Sequence, residues 1–392
     1  MKKFYDLSIH LYGLIIRFAS LFHPKAKLWV QGRKNTFDNL PNGKNDNIVW
    51  VHCASLGEYE QGKTLITAFQ HKTDYKILLT FYSPSGYEFV KNKKIDWIEY
   101  LPLDTKKNAE RFIEKVQPKM ALFIKYEFWP NYLMSLNKHQ IPTFNISGIF
   151  RENQYFFHTY GKWFKDALSS IEHFYVQDEH SKKVLNLNGI ENASVSGDTR
   201  YDRVMENIAK TQGFDLIEKF KGDKKTIVCG STWQKDVELV LAMTNRFPNL
   251  KFILAPHNLN QVKNINTGVC LSKTNVKEID QYQVLVIDSI GILSQVYQYA
   301  DVCYIGGGFG TGIHNILEAI AHEKPVVFGP KHHKFKEAKE ALAYGIAKSI
   351  SNRNELEQAI KEFLNEKPLN IHQFCKDRTG ATEIIMKDLL KS

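Results

Sequence analysis

Short apolar runs rich in β-branched residues alternate with helical patterns along most of the chain, and this plan occurs twice. In the first half, we predict strands at 48–53, 76–81, 97–101, 119–124, 142–146 and 173–176. In the second half, we predict strands at 225–229, 251–255, 284–287, 301–305, 325–328 and 346–349. Strands that alternate with helices form parallel sheets with crossover connections. The chain is therefore predicted to be an α/β protein with two doubly wound, Rossmann-like domains in tandem.

The boundary between the two predicted domains lies in a polar, charged stretch. A chain of 392 residues suits two domains of roughly 150–200 residues each. We predict an amino-terminal segment at 1–34, a first domain at 35–205, a linker at 206–224 and a second domain with carboxyl-terminal helices at 225–392. Because ligands of doubly wound sheets bind at the carboxyl ends of the strands, we expect the ligand site in a cleft between the domains.

Composition and charge narrow the functional class. Hydrophobic residues are 43% and charged residues 24% of the chain, which is ordinary globular usage and excludes a mainly disordered or coiled-coil protein. Lysine and arginine exceed aspartate and glutamate by ten, which suits an anionic membrane surface or a phosphorylated substrate. The basic residues follow no nucleic-acid-binding signature, so no nucleic-acid partner is expected. Five scattered cysteines without a CxxC motif argue against structural zinc, and no metal site is expected.

The first 22 residues follow a helical pattern with one broad apolar face. That face gathers Phe4, Leu7, Leu11, Leu14, Ile15, Phe18 and Phe22, and the opposite face gathers Asp6, His10, Gly13 and Arg17. A basic cluster follows, with Lys25, Lys27, Arg33 and Lys34. An amphipathic helix followed by basic residues is typical of a helix that lies in a membrane interface. The alternative is a first helix packed on the protein's own core.

The stretch from Gly57 to Thr64 matches the phosphate-loop pattern GxxxxGK[ST]. This match suggests an NTPase, with Asp288 after an apolar run as the acidic partner. Two carboxylates inside the loop, Glu58 and Glu60, would repel phosphate groups, so the pattern is a poor cradle for anions. The NTPase remains a minor alternative.

Two carboxylates follow predicted strands and are candidates for proton transfer. Glu58, together with Ser55 and Gly57, comes directly after strand 48–53, where it is placed to act as a general base. Its alternative role is only to offset a helix dipole. Glu127 follows strand 119–124 in the sequence KYEFWPN. Its alternative role is a helix cap beside core aromatic residues.

A glycine-rich segment follows strand 301–305 and is predicted to open a helix. Five glycines occur within residues 306–312, which allows close approach of the backbone to a ligand and favours a phosphate or nucleotide site. Glu318 lies about one turn further on, where it would bind ribose hydroxyls. Loops at 197–202, 230–233, 256–257 and 288–291 are further candidates for the same cleft, or ordinary turns. The pair His332–His333 sits between lysines and indicates an exposed basic loop.

Taken together, several of these segments resemble one known family. HCASLGE, KYEFWPN, SVSGDTRYD, ILAPH, DSIGIL and GIHNILEAIAHEKPVVFGP occur in the order and rough spacing of the Kdo transferases, which add 3-deoxy-manno-octulosonic acid to the lipid A precursor. The resemblance covers nearly the whole chain, including Gly32-Arg33-Lys34 after the first helix. It implies the two-domain GT-B fold, with the acceptor on the first domain and the donor CMP-Kdo on the second.

The resemblance also implies roles for individual residues. Glu58 matches the family's general base, and Glu127 and Arg200 match positions that stabilise the transition state. Ser55 and Gly57 lie on the acceptor side. The donor-binding candidates are Ser231, Thr232, Pro256, His257, Ile290, Gly291, Ile292, Gly307, Gly308, Asn315, Ile316, Leu317 and Glu318.

The chain departs from the family pattern at several of these positions. The family often has arginine at His257, lysine at Arg200 and glutamate at Ile292. Lys125, two residues before Glu127, often corresponds to glutamate.

The prediction is therefore an inverting, metal-independent glycosyltransferase that needs no cofactor. It moves Kdo from CMP-Kdo to the lipid A precursor in lipopolysaccharide core biosynthesis, at the cytoplasmic face of the inner membrane. The alternative within enzymes is another GT-B glycosyltransferase that acts on a lipid acceptor. The sequence does not indicate an oligomeric state.

Overall fold

The computed structural model describes residues 1–158, 161–365 and 370–391. The chain divides into two compact units. The first comprises Met1–Arg203 and the residues from Thr379 onward, and the second comprises Val204–Arg378. Each unit is built around its own seven-stranded sheet, in which every described strand pair is parallel. The predicted α/β architecture with two doubly wound sheets is confirmed.

The first sheet has the strand order β3-β2-β1-β4-β5-β6-β7. Its strands are β1 (Ile48–Cys53), β2 (Lys76–Phe81), β3 (Trp97–Tyr100), β4 (Met120–Ile124), β5 (Thr143–Gly148), β6 (His173–Val176) and β7 (Ala193–Val195). The central strands β1 and β4 are buried along their whole length, because helices cover both faces of the sheet.

The helices of the first unit connect these strands. They are α1 (Lys2–Ala19), α2 (Pro24–Gly32), α3 (Thr36–Asn39), α4 (Leu56–Lys72), α5 (Pro84–Val90), α6 (Lys106–Val116), α7 (Pro130–Lys138), α8 (Lys162–Leu168) and α9 (Glu179–Leu187). The next helix, α10 (Thr199–Ile208), runs from the first unit into the second.

The second sheet has the strand order β10-β11-β9-β8-β12-β13-β14. Its strands are β8 (Thr226–Thr232), β9 (Lys251–Pro256), β10 (Val269–Cys270), β11 (Val284–Val286), β12 (Val302–Ile305), β13 (Val326–Phe328) and β14 (Ala347–Ser349). Its helices are α11 (Asp215–Lys221), α12 (Gln234–Thr244), α13 (Leu293–Val296), α14 (Leu317–Ala321), α15 (Lys336–Tyr344), α16 (Arg353–Asn365) and α17 (Ile371–Lys376).

The end of the chain departs from the predicted domain boundaries. The last helix, α18 (Ala381–Leu389), belongs to the first unit and not to the second. Three of its side chains, Ile385, Met386 and Leu389, are buried in the first unit's core. The Asp202 carboxylate accepts hydrogen bonds from the backbone N–H groups of Gly380 and Thr382, both at 2.6 Å. The predicted linker at 206–224 contains α11, so it is not an irregular connection.

The first helix contacts its own unit through its polar and small side chains. The Tyr5 hydroxyl donates to the Asp104 carboxylate at 2.6 Å, and the Asp6 carboxylate accepts from Asn131 at 3.0 Å. Gly13 is the buried residue of the helix and lies directly against Leu103. The large apolar side chains on the other face are exposed: Phe4, Leu7, Leu11, Leu14, Ile15 and Phe18. The helix therefore does not bury its apolar face in the protein core, which was the alternative reading of this segment.

Among the described residues, no helix combines the length and the apolar character that a membrane span requires.

Candidate functional site

The two candidate carboxylates lie where the connections of the first sheet change direction. Strands β1 and β4 are neighbours, but β1 continues to β2 on one side and β4 continues to β5 on the other. Ligands of doubly wound sheets bind at the carboxyl ends of the strands at this point. Glu58 follows β1 and Glu127 follows β4, so the topology itself places both side chains at a binding position.

Glu58 occupies the third position of α4, and Ser55 is the residue that precedes the helix. This spacing is that of a capping box, in which the serine would accept a backbone hydrogen bond. The structure shows a different arrangement, because the Ser55 hydroxyl donates to the Glu58 carboxylate and makes no cap bond. The carboxylate is thereby oriented by a side chain, in addition to its favourable position in the first helical turn.

The buried thiol of Cys53 lies at the end of β1, the strand that Glu58 follows. Burial raises the pKa of this thiol well above its usual value, and the charges of Glu58 and Glu127 raise it further. Both carboxylates therefore lie within electrostatic range of one sulfur atom at the end of β1. Two carboxylates near one point are the arrangement that general base catalysis and stabilisation of a developing cation use.

Glu127 is held by a tight turn after β4. Lys125 has a φ of 61°, a left-handed conformation that is uncommon for a side-chain-bearing residue. The Asn145 amide stabilises the turn by donating to the carbonyl oxygens of Phe123 and Lys125, at 3.1 and 2.6 Å. The turn leaves the Glu127 side chain 18% exposed. Strain of this kind is concentrated at functional sites.

His52 links the two carboxylate-bearing segments and was not among the predicted site residues. It is fully buried on β1, and its Nε2 accepts a hydrogen bond from Trp129 Nε1 at 3.0 Å. Its Nδ1 lies 2.8 Å from Thr80 Oγ1. Because Nε2 accepts this bond, the ring donates through Nδ1. Nε2 also lies 3.8 Å from Glu127 Oε2, so the bond from Trp129 prevents this pair from forming an ion pair.

Arg200 is joined to the helix of Glu58 through two intervening side chains. Its guanidinium donates to the Asp198 carboxylate, with Nη2 to Oδ2 at 2.7 Å and Nε to Oδ2 at 2.9 Å. The other oxygen of Asp198 accepts from Gln61 of α4 at 3.0 Å. A ligand anion that binds Arg200 must therefore share this charge with Asp198.

The phosphate-loop interpretation of residues 57–64 is wrong. These residues form the first half of α4 and not a loop, so their backbone N–H groups are not arranged to surround a phosphate. Gly62 is required for a different reason, since a Cβ atom there would lie 3.2 Å from the Ile124 side chain. The glycine allows α4 to pack closely on β4.

The candidate donor-binding segments lie at the corresponding position of the second sheet. Strand β8 is next to β12, and their connections lead to opposite sides. Ser231 and Thr232 end β8, Pro256 ends β9 and His257 follows it, and the glycine-rich segment follows β12. At Ser231 the pairing of β8 with β9 is irregular, and its φ is 52°.

The glycine-rich segment is packed tightly against other backbone. A Cβ atom on Gly306 would lie 2.3 Å from the Ser231 carbonyl oxygen, and one on Gly308 would lie 2.6 Å from Gly329 Cα. Gly307 has a φ of 92°. Three of the five glycines therefore serve internal packing or a left-handed turn. The helix predicted to begin here starts only at Leu317 and has five residues. An anion that binds this segment would therefore contact the backbone N–H groups of the loop, and not the end of a long helix dipole.

The carboxylate of Asp236 holds this segment in place. Its Oδ2 accepts from the backbone N–H groups of Trp233 and Gly307, at 2.8 and 2.9 Å, and its Oδ1 accepts from the Tyr304 hydroxyl at 2.6 Å. Asp236 is 1% exposed, and its charge, together with burial, raises the pKa of Tyr304. One buried carboxylate thus joins β12, the glycine-rich loop and the start of α12.

Three aromatic rings lie together at the same end of the sheet. Trp233 Nε1 donates to His314 Nε2 at 2.9 Å, and the two rings are nearly coplanar, with an interplanar angle of 11°. The exposed His257 ring stacks on both, with centroid distances of 4.7 Å to Trp233 and 4.4 Å to His314. Burial, followed by the charge of His257, lowers the pKa of His314. Stacked rings of this kind form a surface that a planar base can contact.

The remaining donor-binding candidates lie on the turn at 290–292 and in the segment 315–318, where Asn315 is exposed but Ile316 and Leu317 are buried at the start of α14. Ile290 is 85% exposed, and Gly291 has a φ of 94°, directly before Ile292 and α13. Asn315 precedes Ile316 and accepts a hydrogen bond from the Leu317 N–H at 3.0 Å. Its amide donates to Glu318 at 3.3 Å.

Comparison with known proteins shows a family that this chain resembles. The family model described as 3-deoxy-D-manno-octulosonic-acid transferase (kdotransferase) matches residues 29–203. The 3-deoxy-D-manno-octulosonic acid transferase of Aquifex aeolicus is 26% identical over 90% of this chain and 96% of that protein. The corresponding transferase of Haemophilus influenzae is 29% identical over 88% of this chain and 86% of that protein. This chain is similar to the Kdo transferases over most of its length.

A bifunctional glycosyltransferase/methyltransferase of Fusobacterium nucleatum is 27% identical over 97% of this chain, which spans 63% of that protein's length. Solved structures show the same fold. The UDP-GlcNAc 2-epimerase of Neisseria meningitidis has a TM-score of 0.61 at 16% identity and covers 88% of this chain. The epimerase of Methanocaldococcus jannaschii has a TM-score of 0.60 at 14% identity. The predicted GT-B fold is thus confirmed, and the named sequence relatives make this chain similar to a transferase of 3-deoxy-D-manno-octulosonic acid.

The described residues contain one group with metal-ligand potential, formed by Glu110, Glu114 and His139. Glu110 is already ion-paired with Lys138, which lowers the pKa of its carboxyl group. His139 follows the end of α7, and therefore lies away from the carboxyl ends of the strands where Glu58 and Glu127 are found.

Proposed function

We propose that this protein transfers Kdo from CMP-Kdo to a hydroxyl group of the lipid A precursor. Sequence relatives named as Kdo transferases support the choice of sugar. The observation that carries the catalytic assignment is that Glu58 and Glu127 follow the neighbouring parallel strands β1 and β4, at the carboxyl ends of both. CMP-Kdo is a substrate, and the proposed reaction uses no cofactor.

In the proposed reaction, Glu58 removes the proton from the acceptor hydroxyl. The hydroxyl oxygen then bonds to the anomeric carbon of Kdo, while the bond from that carbon to the phosphate oxygen breaks and CMP leaves with the electron pair. A single displacement inverts the anomeric configuration. Ser55 orients the Glu58 carboxylate for this step by donating a hydrogen bond to it.

Glu127 and Arg200 are proposed to stabilise the charges that develop. The anomeric carbon becomes positive as CMP departs, and the Glu127 carboxylate favours that charge. Arg200 favours the carboxylate of Kdo or the departing phosphate, with Asp198 fixing the guanidinium plane. We propose that these fixed charges allow turnover without a metal ion.

The second unit is proposed to bind the CMP group. The Trp233, His257 and His314 rings supply a surface for the cytosine base, and the loop of Gly307 and Gly308 supplies backbone donors for the phosphate. Ser231, Thr232, Pro256, Ile290 to Ile292 and Asn315 to Glu318 complete the proposed donor site.

We also propose that the protein attaches to the cytoplasmic face of the inner membrane through α1. The support is the row of exposed apolar side chains on that helix, including Phe4, Leu7, Leu14 and Phe18. Such a face suits the acyl region of a lipid bilayer.

The experiment measures CMP release from CMP-Kdo, with and without a tetraacyl disaccharide phosphate acceptor, in detergent that contains EDTA. We expect release only with acceptor, and a loss of about 10²–10⁴-fold in Glu58→Gln with CMP affinity retained. Glu60→Gln is the matched control, because Glu60 pairs with Arg203 at the surface. Near-normal turnover of Glu58→Gln would exclude Glu58 as the base. Nucleotide release from a different nucleotide sugar, with none from CMP-Kdo, would exclude Kdo transfer.

A further inference from the structure

A cavity of about 410 Å³ lies between α1, α2 and the segment that follows β3. This volume is within the range of small-molecule sites, about 300–1,000 Å³. Among its ten lining residues are three basic ones, Arg17, Arg33 and Lys34, and none is acidic. All belong to the first unit.

Two of the three cations are not paired with another side chain among the described residues. The side chains of Arg17 and Lys34 are exposed, and neither makes a hydrogen bond or ion pair with any residue in the described ranges. An arginine and a lysine that line a cavity without a balancing carboxylate create a positive potential there.

Arg33 is a fixed cation in the wall of the cavity. It donates to the carbonyl oxygens of Tyr82, Leu101 and Trp29, at 2.7, 2.9 and 3.1 Å. A guanidinium has five N–H donors, so two of them have no acceptor among the described residues. Its plane lies 3.7 Å from the centroid of the Trp29 ring. Burial lowers the pKa of Arg33 to about 10, so it remains charged at neutral pH.

Trp29 contributes a further unsatisfied donor. This side chain is 8% exposed and lines the same cavity. Its indole Nε1 is buried and has no hydrogen-bond partner within the described part of the chain. A buried donor without an acceptor costs about 1–3 kcal/mol. Apart from the amide of Asn108, the polar side chains that line the cavity are donors and cations, and their complement is an anion that only accepts hydrogen bonds.

The position of the cavity relates it to a lipid. Arg17 is on α1, within one turn of Leu14 and Phe18, whose side chains are 60% and 68% exposed. A ligand that reached Arg17 with its anionic group would therefore have an apolar surface beside it for hydrocarbon chains.

We propose that this cavity binds the phosphate headgroup of an anionic lipid, whose acyl chains lie beside the exposed face of α1. Arg17 and Lys34 attract the phosphate. Trp29 Nε1 and the two remaining N–H groups of Arg33 donate hydrogen bonds to its oxygen atoms from fixed positions. A phosphate monoester, with the larger charge and more acceptor oxygens, fits better than a diester. Binding at this site requires no sugar transfer, so its test does not depend on the proposed function.

The test is binding of the full chain to phosphatidylcholine vesicles that contain phosphatidic acid or, at matched surface charge, phosphatidylglycerol. We expect tighter binding to the phosphatidic acid vesicles. Arg17→Ala/Lys34→Ala should weaken that binding by about tenfold or more, since each basic residue near an anionic surface contributes measurably. Lys72→Ala/Lys94→Ala removes the same charge from two exposed lysines and is the matched control. Trp29→Phe should reduce the preference for phosphatidic acid while its melting temperature stays within a few degrees of wild type.

Three results would overturn the proposal. Equal binding to both anionic lipids, or equal weakening by the two double variants, would show general electrostatic attraction without a site. Complete competition by inorganic phosphate at low concentration, in the wild type alone, would show that free phosphate is the ligand.

Discussion

The indole N–H of Trp129 donates to Nε2 of His52 at 3.0 Å, on the side of the imidazole that faces Glu127. Trp129 also stacks on Tyr82, with centroids 4.5 Å apart, and is therefore held by two neighbours. Because Nε2 accepts this bond, it does not donate to the Glu127 carboxylate, which lies 3.8 Å away.

Replacing Trp129 with phenylalanine tests this relationship. The variant keeps a ring but leaves Nε2 of His52 without its donor beside Glu127. We expect turnover to fall about tenfold, comparable to the loss of one charge-assisted interaction. Trp97→Phe, on the edge strand β3, is the control. Turnover identical to wild type would show that Trp129 only fills space.

Substitutions of Asp236 should separate its contribution to stability from its role in positioning the glycine-rich loop. Asp236→Ala removes three hydrogen bonds from a buried site, and we expect a loss of about 3 kcal/mol in unfolding free energy. Asp236→Asn retains one acceptor oxygen for the two backbone N–H groups, and its amide can donate to the Tyr304 oxygen. We expect this variant to stay folded and to bind CMP about tenfold more weakly, by calorimetry. Asn and Ala variants with equal CMP affinity would contradict a role in positioning Gly307.

Two glycines two residues apart in the glycine-rich loop should respond differently to alanine. A Cβ atom on Gly308 would lie 2.6 Å from Gly329 Cα, whereas one on Gly310 has its nearest contact at 3.5 Å. We expect Gly308→Ala to lower the melting temperature clearly, by about 4 °C or more, because the opposing atom is backbone and cannot rotate away. Gly310→Ala should melt within about 2 °C of wild type. Equal melting temperatures would show that the two backbones separate easily.

Glu99 makes the stability of the protein depend on pH. Burial raises its pKa from 4.5 to about 7, although a hydrogen bond with Asn39 opposes the shift. Since the folded chain holds this proton more tightly than the unfolded chain, its contribution is complete below pH 4.5 and is lost as the pH rises through about 7. Glu99→Gln should therefore raise stability at pH 8 by about 1–3 kcal/mol and leave it nearly unchanged at pH 4. Denaturant unfolding at both pH values checks this, and an equal gain at both would contradict it.

The sequence was sufficient to predict the sheets because their strands are buried on both faces. A short run such as Ile48–Cys53 is apolar almost throughout, because neither face of the strand meets solvent. Its composition alone therefore predicts a strand. Strands β7 and β10 were missed, since they are short, lie at sheet edges and are only partly buried. The carboxylates Glu58 and Glu127 were found because each directly follows a recognisable strand.

Residues that act through long-range contacts could not be predicted in this way. Asp236 reads as an ordinary helix residue, and only the fold brings Tyr304 and Gly307 to it. His52 is a single polar residue in an apolar strand, a position more typical of a core histidine. The pattern of α18 showed that one face is buried, but not which unit buries it. The glycines of residues 306–312 were interpreted through a ligand, whereas Gly306 and Gly308 contact backbone segments that lie far apart in the sequence.

The return of α18 to the first unit has a consequence for biosynthesis. Ile385, Met386 and Leu389 cover part of the core beside β1 and β2, and they are translated only after the whole second unit. Until then the nascent first unit carries an uncovered apolar patch, in addition to the exposed face of α1, while the whole second unit is translated. Newly synthesised chains are therefore expected to need a chaperone, or early contact with a membrane, during a period that lasts for the synthesis of residues 204–378.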